Sequence, residues 1–191
     1  MKPVVDVDYV TVIRKELPKV NGKRNREVVW ACPYYTVWQN MHTRIKNVGN
    51  RPCYTSLECC EDWYYLSKFK SWMEVQDWQG KELDKDLLGD GTYYSPETCC
   101  FLDSKINVFI GNKQKNINGL KGVIFQKDRN KYPWQAQILD LFTGKQTNLG
   151  RFTTAMEAHL AWKAKKHEFA CILAESVTDS RIKHALITRY I

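Results

Sequence analysis

The sequence predicts an α+β chain in two parts, each joining helices to small sheets. Three observations lead there. Apolar residues recur at helical spacing over residues 33–47 and 62–75. Short apolar runs divided by Gly, Asn, Asp and Pro turns, the pattern of strands, recur over 80–102 and again over 122–152. The charge balance also changes near residue 111. Residues 1–110 hold 15 Lys/Arg and 15 Asp/Glu, whereas residues 111–191 hold 14 Lys/Arg and 6 Asp/Glu. The net charge of +8 therefore belongs to the C-terminal part. That is the footprint of a phosphate-binding module joined to a neutral one, or else of a solvated basic surface.

A chain of 191 residues accommodates one domain or two small ones. Its 43% hydrophobic and 26% charged content describes a globular protein, not a disordered one. No run of ~18 apolar residues exists to span a membrane. The opening MKPVVDVDYV is acidic and broken by Pro3, unlike a secretory signal. The seven Cys are odd in number, so reduced thiols and a cytoplasmic setting are expected. The absence of any C-x-x-C pair argues against a structural zinc. A site drawn from Cys53, Cys59 or Cys60 and Cys99 is the alternative. Packing as small hydrophobes is the expectation for Cys99 and Cys100.

In chain order, Val4–Ile13 alternate partly and read as a strand. The basic stretch Lys19–Arg26 reads as a loop, either a DNA-touching arm or plain surface. Pro33 suits a first helical turn, and Tyr35, Trp38, Met41 and Ile45 extend a helix to about Asn47, where Gly49-Asn50-Arg51-Pro52 stops it. His42 lies off that stripe and reads as a surface residue, the alternative being a general base donated from outside the core motif. After a short extended piece over Tyr54–Cys60, a second helix is expected from Asp62 to Val75. Trp63, Leu66, Phe69 and Met73 make its buried stripe, with Trp72 beside them and Lys68 and Lys70 facing away. At that spacing the aromatics are core residues and not base-stacking platforms.

The stretch 83–107 organises the first part. Gly80–Leu87 reads as a strand. If it stays regular, Asp84 and Asp86 share one face and Lys85 points oppositely; if it turns at Asp84, Lys85 enters the site. A loop through Gly89-Asp90-Gly91 and Ser95-Pro96 leads to a second strand, Thr98–Leu102. Asp103 or Ser104 then caps a helix that carries Asn107 to about Gly111. Acids on a strand and an amide on a helix form an oxygen set suited to one hard cation, Mg²⁺ or Mn²⁺. Residues 112–120 are polar and turn-rich and read as a linker between a domain over 1–111, with its core at 80–111, and another over 121–191.

In that second domain Gly122–Gln126, Pro133–Leu139 and Thr147–Phe152 read as three antiparallel strands. Asp128-Arg129-Asn130 and Thr143-Gly144-Lys145 supply the turns. A long helix follows from about Thr154, with Ala158, Ala161, Trp162, Ala164, Phe169 and Leu173 as its apolar face. Lys163, Lys165 and Lys166 are expected mostly in solvent, with partial phosphate contact as the alternative. A last helix covers about 179–188. His159, His167 and His184 show no metal-ligand spacing and read as structural or surface residues.

Leu83-Asp84-Lys85-Asp86-Leu87, Tyr94-Ser95-Pro96-Glu97-Thr98-Cys99 and Ser104-Lys105-Ile106-Asn107 together resemble the ββα-metal core of HNH endonucleases, in the form found in phage homing-type nucleases. The resemblance implies a divalent ion held by Asp84 and Asn107, with Asp84, Lys85, Asp86 and Asn107 as the catalytic set. The family places a His beside the first Asp as general base; here Lys85 stands there. Lys121-Gly122-Val123, Trp134-Gln135-Ala136, Gly144-Lys145, Leu149-Gly150-Arg151-Phe152, Glu157-Ala158 and Ala161-Trp162 resemble the AP2/ERF-type DNA-binding domain that accompanies such cores. That resemblance implies a sheet whose open face enters the major groove. Its contact residues would be Lys127, Arg129, Trp134, Gln135, Gln137, Lys145 and Arg151. Gln can read adenine and Arg guanine. The turn residues Lys127, Arg129 and Lys145 suit phosphates. Trp134 is equally suited to DNA contact or sheet support. The expectation is then a monomeric, metal-dependent endonuclease that nicks or cleaves double-stranded DNA, with no small-molecule cofactor and no membrane. The alternative is a DNA-binding protein that keeps the core as scaffold, in a regulatory or anti-defence role.

Overall fold

The computed structural model describes residues 1–47, 57–111, 119–128 and 131–191. It is mixed α+β, and the chain divides into two compact units, Met1–Phe101 and Leu102–Ile191. The division falls at the end of the second core strand. Residues 112–118 of the expected linker lie outside the described ones. No described helix is long and apolar enough to cross a membrane.

The first unit begins with an antiparallel hairpin, β1 (Val12–Val20) and β2 (Lys23–Ala31). Its turn is Asn21-Gly22, with φ of 51° and 71°. Two positive φ values in a two-residue loop match the twist of the flanking strands. This corrects the expected strand over Val4–Ile13 and the expected loop over Lys19–Arg26. Val4 makes only an isolated bridge to Tyr65, and the basic stretch is the tip and return strand of the ribbon.

α1 (Pro33–Lys46) starts on Pro33, whose missing N–H would have had no helical partner anyway. β3 (Glu58–Cys59) follows, then a 3-10 turn over Glu61–Tyr64, then α2 (Leu66–Glu74). The single helix expected over 62–75 is thus broken at Tyr65. The cause is remote in sequence. Val4 N–H donates to the Tyr64 carbonyl at 2.8 Å, and Leu66 N–H donates to the Val4 carbonyl at 3.1 Å. The Asp6 carboxylate then accepts from the Ser67 N–H at 2.9 Å, capping α2 from outside.

β4 (Glu82–Asp84) pairs with β6 (Cys100–Leu102), and β5 (Tyr93–Tyr94) runs parallel to β3. Trp38, Met41, Trp63, Leu66, Phe69, Met73, Tyr94, Cys99 and Phe101 form the core under these pieces. The Trp63 ring meets Phe69 edge-on at 5.0 Å and Trp72 at 4.5 Å. Each such buried side chain contributes roughly 1.5–3 kcal/mol, which explains how such short strands are held. His42 belongs to this core and not to the surface, a further correction. Its Nε2 donates to the Trp63 carbonyl at 2.9 Å, beside Trp38 Nε1 at 2.7 Å. Burial lowers its pKa.

The second unit opens with α3 (Ser104–Ile110), preceded by Asp103 at the cap position without a side-chain cap bond. β7 (Val123–Phe125), β8 (Trp134–Leu139) and β9 (Gln146–Phe152) make one antiparallel sheet in that order. α4 (Ala155–Glu175) and α5 (Ser180–Thr188) follow. α4 starts with a capping box. Thr154 Oγ1 accepts from the Glu157 N–H at 3.2 Å, and Glu157 Oε2 accepts from the Thr154 N–H at 3.1 Å. Val123 and Ala136 pack with Ala158 of α4. Gly122, at φ 76°, lies so close under the Trp162 ring that a Cβ there would collide with it.

Lys166 corrects the expected solvated face of α4. It is 5% exposed. Its Nζ donates to the Phe109 carbonyl at 2.7 Å and stands 3.5 Å from the Phe109 ring centroid.

Candidate functional site

The Asp84–Asp86 segment is a turn, not a continued strand. β4 stops at Asp84, whose Oδ1 accepts from the backbone N–H of Asp86 at 3.0 Å and of Leu87 at 2.8 Å. An Asp carboxylate that binds the backbone two and three residues ahead offers an alternative to the strand ladder. The strand expected through Leu87 is therefore corrected, and of the two geometries left open the turn is the one formed. Lys85 swings inward as a result. It is 5% exposed, like Asp84. Its Nζ donates to Asp86 Oδ1 at 2.7 Å and lies 5.8 Å from the Tyr94 ring centroid. The Asp86 side chain stays 44% exposed.

Burial is the main cause that raises the Asp84 pKa, opposed by its two backbone hydrogen bonds. A buried carboxylate in that state gains from any nearby cation. The loop that follows closes over the pair. Gly91, at φ 82°, approaches the Asp86 carboxylate so closely that a Cβ would strike Oδ1. Asp90 holds the loop by accepting from the Thr92 N–H at 2.9 Å and hydroxyl at 2.6 Å. Further on, the Ser95 N–H donates to Thr98 Oγ1 at 3.0 Å, and the Cys99 N–H to the Ser95 carbonyl at 2.9 Å. These bonds bring Tyr94 and Cys99 under the turn.

Sequence reasoning missed Gly91 and Tyr94 as parts of this site. The Gly-Asp-Gly spacing marked a turn, but nothing local indicated what the turn covers. It also missed Arg44 on α1. The Arg44 guanidinium lowers the Tyr94 phenol, whose pKa burial raises overall.

Hard carboxylate oxygens suit Mg²⁺. Among the described residues no three His, Cys, Asp or Glu side chains form a group able to hold a metal. Asp84 would therefore hold an ion mainly alongside waters and phosphate oxygens, as Mg²⁺ commonly is held. Asn107, the other expected ligand, is half-buried on α3 of the second unit, while Asp84, Lys85 and Asp86 belong to the first. Burial pushes the Cys59 and Cys99 thiols up to about 12, so both stay protonated and neither is a ready thiolate ligand. Cys53 lies outside the described residues. A cavity of about 520 Å³ in the first unit is lined by Cys60, Asp62, Trp63, Lys68, Trp72 and Glu97, and none of the Asp84–Asp86 residues lines it.

In the second unit, strand alternation sorts the expected contacts. Trp134, Ala136 and Ile138 take one face of β8, and Gln135 and Gln137 the other. Trp134 packs on the helix-side cluster and meets Phe125 at 4.8 Å, the sheet-support placement of its two options. Gln135 pairs in register with Ile124 and Arg151, and Gln137 with Asn148. Gln126 Nε2 donates to Gln135 Oε1 at 2.7 Å, adding a third glutamine to the open face. Lys127 and Lys145 are exposed beside the turns, and Arg151 is exposed on β9. Arg129 lies outside the described residues. No family model, curated protein or solved structure matches the chain.

Proposed function

We propose that the chain is an HNH-type endonuclease that binds double-stranded DNA and hydrolyses a phosphodiester at the Asp84–Asp86 turn. The observation that carries this reading is the inward turn itself, which sets a buried carboxylate, a buried ammonium and a half-exposed carboxylate on three successive residues. A divalent ion on Asp84 would supply Lewis acidity toward the phosphate and its leaving 3′ oxygen. In hydrolysis the water oxygen bonds to phosphorus, the bond to the 3′ oxygen breaks, and a proton leaves the water. Lys85, an ammonium donating to Asp86 at 2.7 Å, has no lone pair to take that proton. Its role is to balance charge on the phosphate. Asp86 has the lone pair and the exposure to meet water, so it is the base. A carboxylate is a weak acceptor, and the enzyme is correspondingly slow.

The open face of the β7–β8–β9 sheet supports the DNA partner. It offers Gln126, Gln135, Gln137 and Asn148 beside Arg151, side chains able to bond base edges as pairs of donors and acceptors. The test is conversion of supercoiled plasmid to open circle with Mg²⁺ or Mn²⁺. Asp84→Asn keeps an oxygen for the two backbone amides and removes the charge. It is expected to lower nicking by at least ~10²-fold while DNA binding persists. Nicking that survives both Asp84→Asn and chelation would overturn the assignment.

A second reading is favoured by the same ion pair. Lys85 already supplies a counter-charge to Asp86, an arrangement that also suits a core kept as scaffold in a DNA-binding protein. That protein would bind duplex with a salt-dependent affinity and convert no plasmid with either metal.

A further inference from the structure

The β1–β2 hairpin takes no part in the site described above, yet it holds much of the first unit's positive charge. Residues 11–31 carry six cations, Arg14, Lys15, Lys19, Lys23, Arg24 and Arg26, against Glu16 and Glu27. The apparent neutrality of residues 1–110 conceals this, because outside the hairpin nine Lys/Arg face thirteen Asp/Glu. The pairing of Arg14 with Val28 and of Glu16 with Arg26 sets Arg14, Glu16, Arg24 and Arg26 on one face. Glu16 Oε1 is shared there, 2.6 Å from Arg26 Nε and 3.7 Å from Arg24 Nε. One acid serves two guanidinium groups, and Arg14 adds a third. Both faces of the ribbon are open. From 11 to 31 only Thr11, Val12, Leu17, Asn25 and Ala31 are half-buried, and every other residue is exposed. A two-stranded ribbon in water is marginally stable alone, so a partner that covers it would order it.

Charge and dimensions select the partner. Nine-residue strands extend about 30 Å, close to the ~34 Å of one turn of B-DNA. The major groove, about 12 Å wide, admits a two-stranded ribbon. Guanidinium groups bond phosphate in a forked, two-point geometry that a lysine cannot match. We propose that the β1–β2 hairpin is a second DNA-contacting element, a ribbon laid along a duplex groove with Arg14, Arg24 and Arg26 on phosphates. The proposal rests on the DNA-binding reading above and assigns part of that binding to the first unit.

The test uses the full chain and the variant Arg14→Gln/Arg24→Gln/Arg26→Gln, titrated against a 30-bp duplex over a salt series by fluorescence anisotropy. The variant is expected to bind at least tenfold more weakly at low salt. Its slope of log affinity against log salt should be shallower by about 2–3, since each lost phosphate contact removes ~0.9. Wild-type backbone amides over 12–31 should exchange more slowly when duplex is added, a readout that needs no variant to fold. If wild type binds but the variant matches it in affinity and slope, and exchange over 12–31 is unchanged, the hairpin assignment is overturned and the sheet reading stands. If wild type binds no duplex, both fall. If the variant loses only binding to anionic lipid vesicles and keeps its duplex affinity, the ribbon serves a membrane surface and the proposal is overturned.

Discussion

Lys166 links the packing of the second unit to pH. Burial, with Lys121 and Arg189 nearby, lowers its pKa from 10.5 to about 7. In the unfolded chain it returns to the ordinary lysine value. Between those two values the unfolded chain binds a proton that the folded chain does not. The contribution of Lys166 to stability therefore rises with pH across that window, is lowest below pH 7, and levels off above the unfolded value. At about 1.4 kcal/mol per unit the full window would amount to about 5 kcal/mol. Solvent access to the amine as the structure fluctuates reduces this to about 2–3 kcal/mol. Lys166→Met keeps a long flexible stem and removes the titration. It also deprives the Phe109 carbonyl of its donor, at a cost of about 1–2 kcal/mol. The variant should thus be less stable than wild type near pH 10, and as stable or more stable at pH 6. The assay is urea unfolding of the full chain at pH 6, 8 and 10, read through hydrogen exchange of α4 amides so that the second unit is followed alone. A stability difference that stays constant across the three pH values would refute the reasoning. It would mean that the carbonyl and the Phe109 ring hold Lys166 charged in the folded state.

Asp84→Ala should lower the melting temperature of the first unit more than Asp84→Asn does. Ala leaves the Asp86 and Leu87 amides without their acceptor, at about 1–3 kcal/mol for each buried group; equal melting of the two variants would deny the turn its structural role. Gly91→Ala forces a side chain onto the Asp86 carboxylate at φ 82°. Nicking should fall several-fold with a stability loss of only about 1–2 kcal/mol, and unchanged nicking would show that Asp86 is dispensable. Gly122→Ala drives a methyl into the Trp162 ring. It should destabilise the second unit by about 2–3 kcal/mol and weaken duplex binding in proportion to the unfolded fraction, as circular dichroism and anisotropy would report.

The second unit was largely legible because its signals are local. Gly144 marks the β8–β9 turn, and the strands fall within a residue or two of where the turn residues put them. Pro33 and the Trp38–Met41 stripe did the same for α1. What was not legible depends on partners far along the chain. The break at Tyr65 is made by Val4 and Asp6, and the Asp6 carboxylate reaches Ser67 across 61 residues. Lys166 and His42 are polar residues on buried faces, and each is made tolerable by one carbonyl, Phe109 at a separation of 57 residues and Trp63 at 21. Lys19–Arg26, the tip and return of the hairpin, reads as a loop in sequence because its charges break the apolar alternation that marks a half-buried strand. A ribbon exposed on both faces has no need of that alternation. At the candidate site the residue types were legible, but the turn was not. Whether Asp84 bonds its own downstream backbone depends on whether a neighbouring strand competes for those amides.

On the proposed DNA-binding reading, the placement of charge separates recognition from retention. The open face of the β7–β8–β9 sheet is rich in amides and holds Arg151 as its cation among the described strand residues. Amides bond base edges well but release no counterions, so this face can discriminate sequence while adding little to salt-dependent affinity. The hairpin has the opposite character, with guanidinium groups suited to phosphates and no amide array on its Arg14–Arg24–Arg26 face. If both elements bind duplex as proposed, they reinforce each other, because contact by either raises the local concentration of duplex around the other. The division has a measurable consequence. Changing Gln135 or Gln137 should alter the ratio of affinities for different sequences and leave the salt slope intact. Changing the hairpin arginines should reduce the slope and leave that ratio intact. A sheet that acted as a general phosphate grip would show the reverse, since its substitution would weaken all sequences equally and flatten the salt dependence.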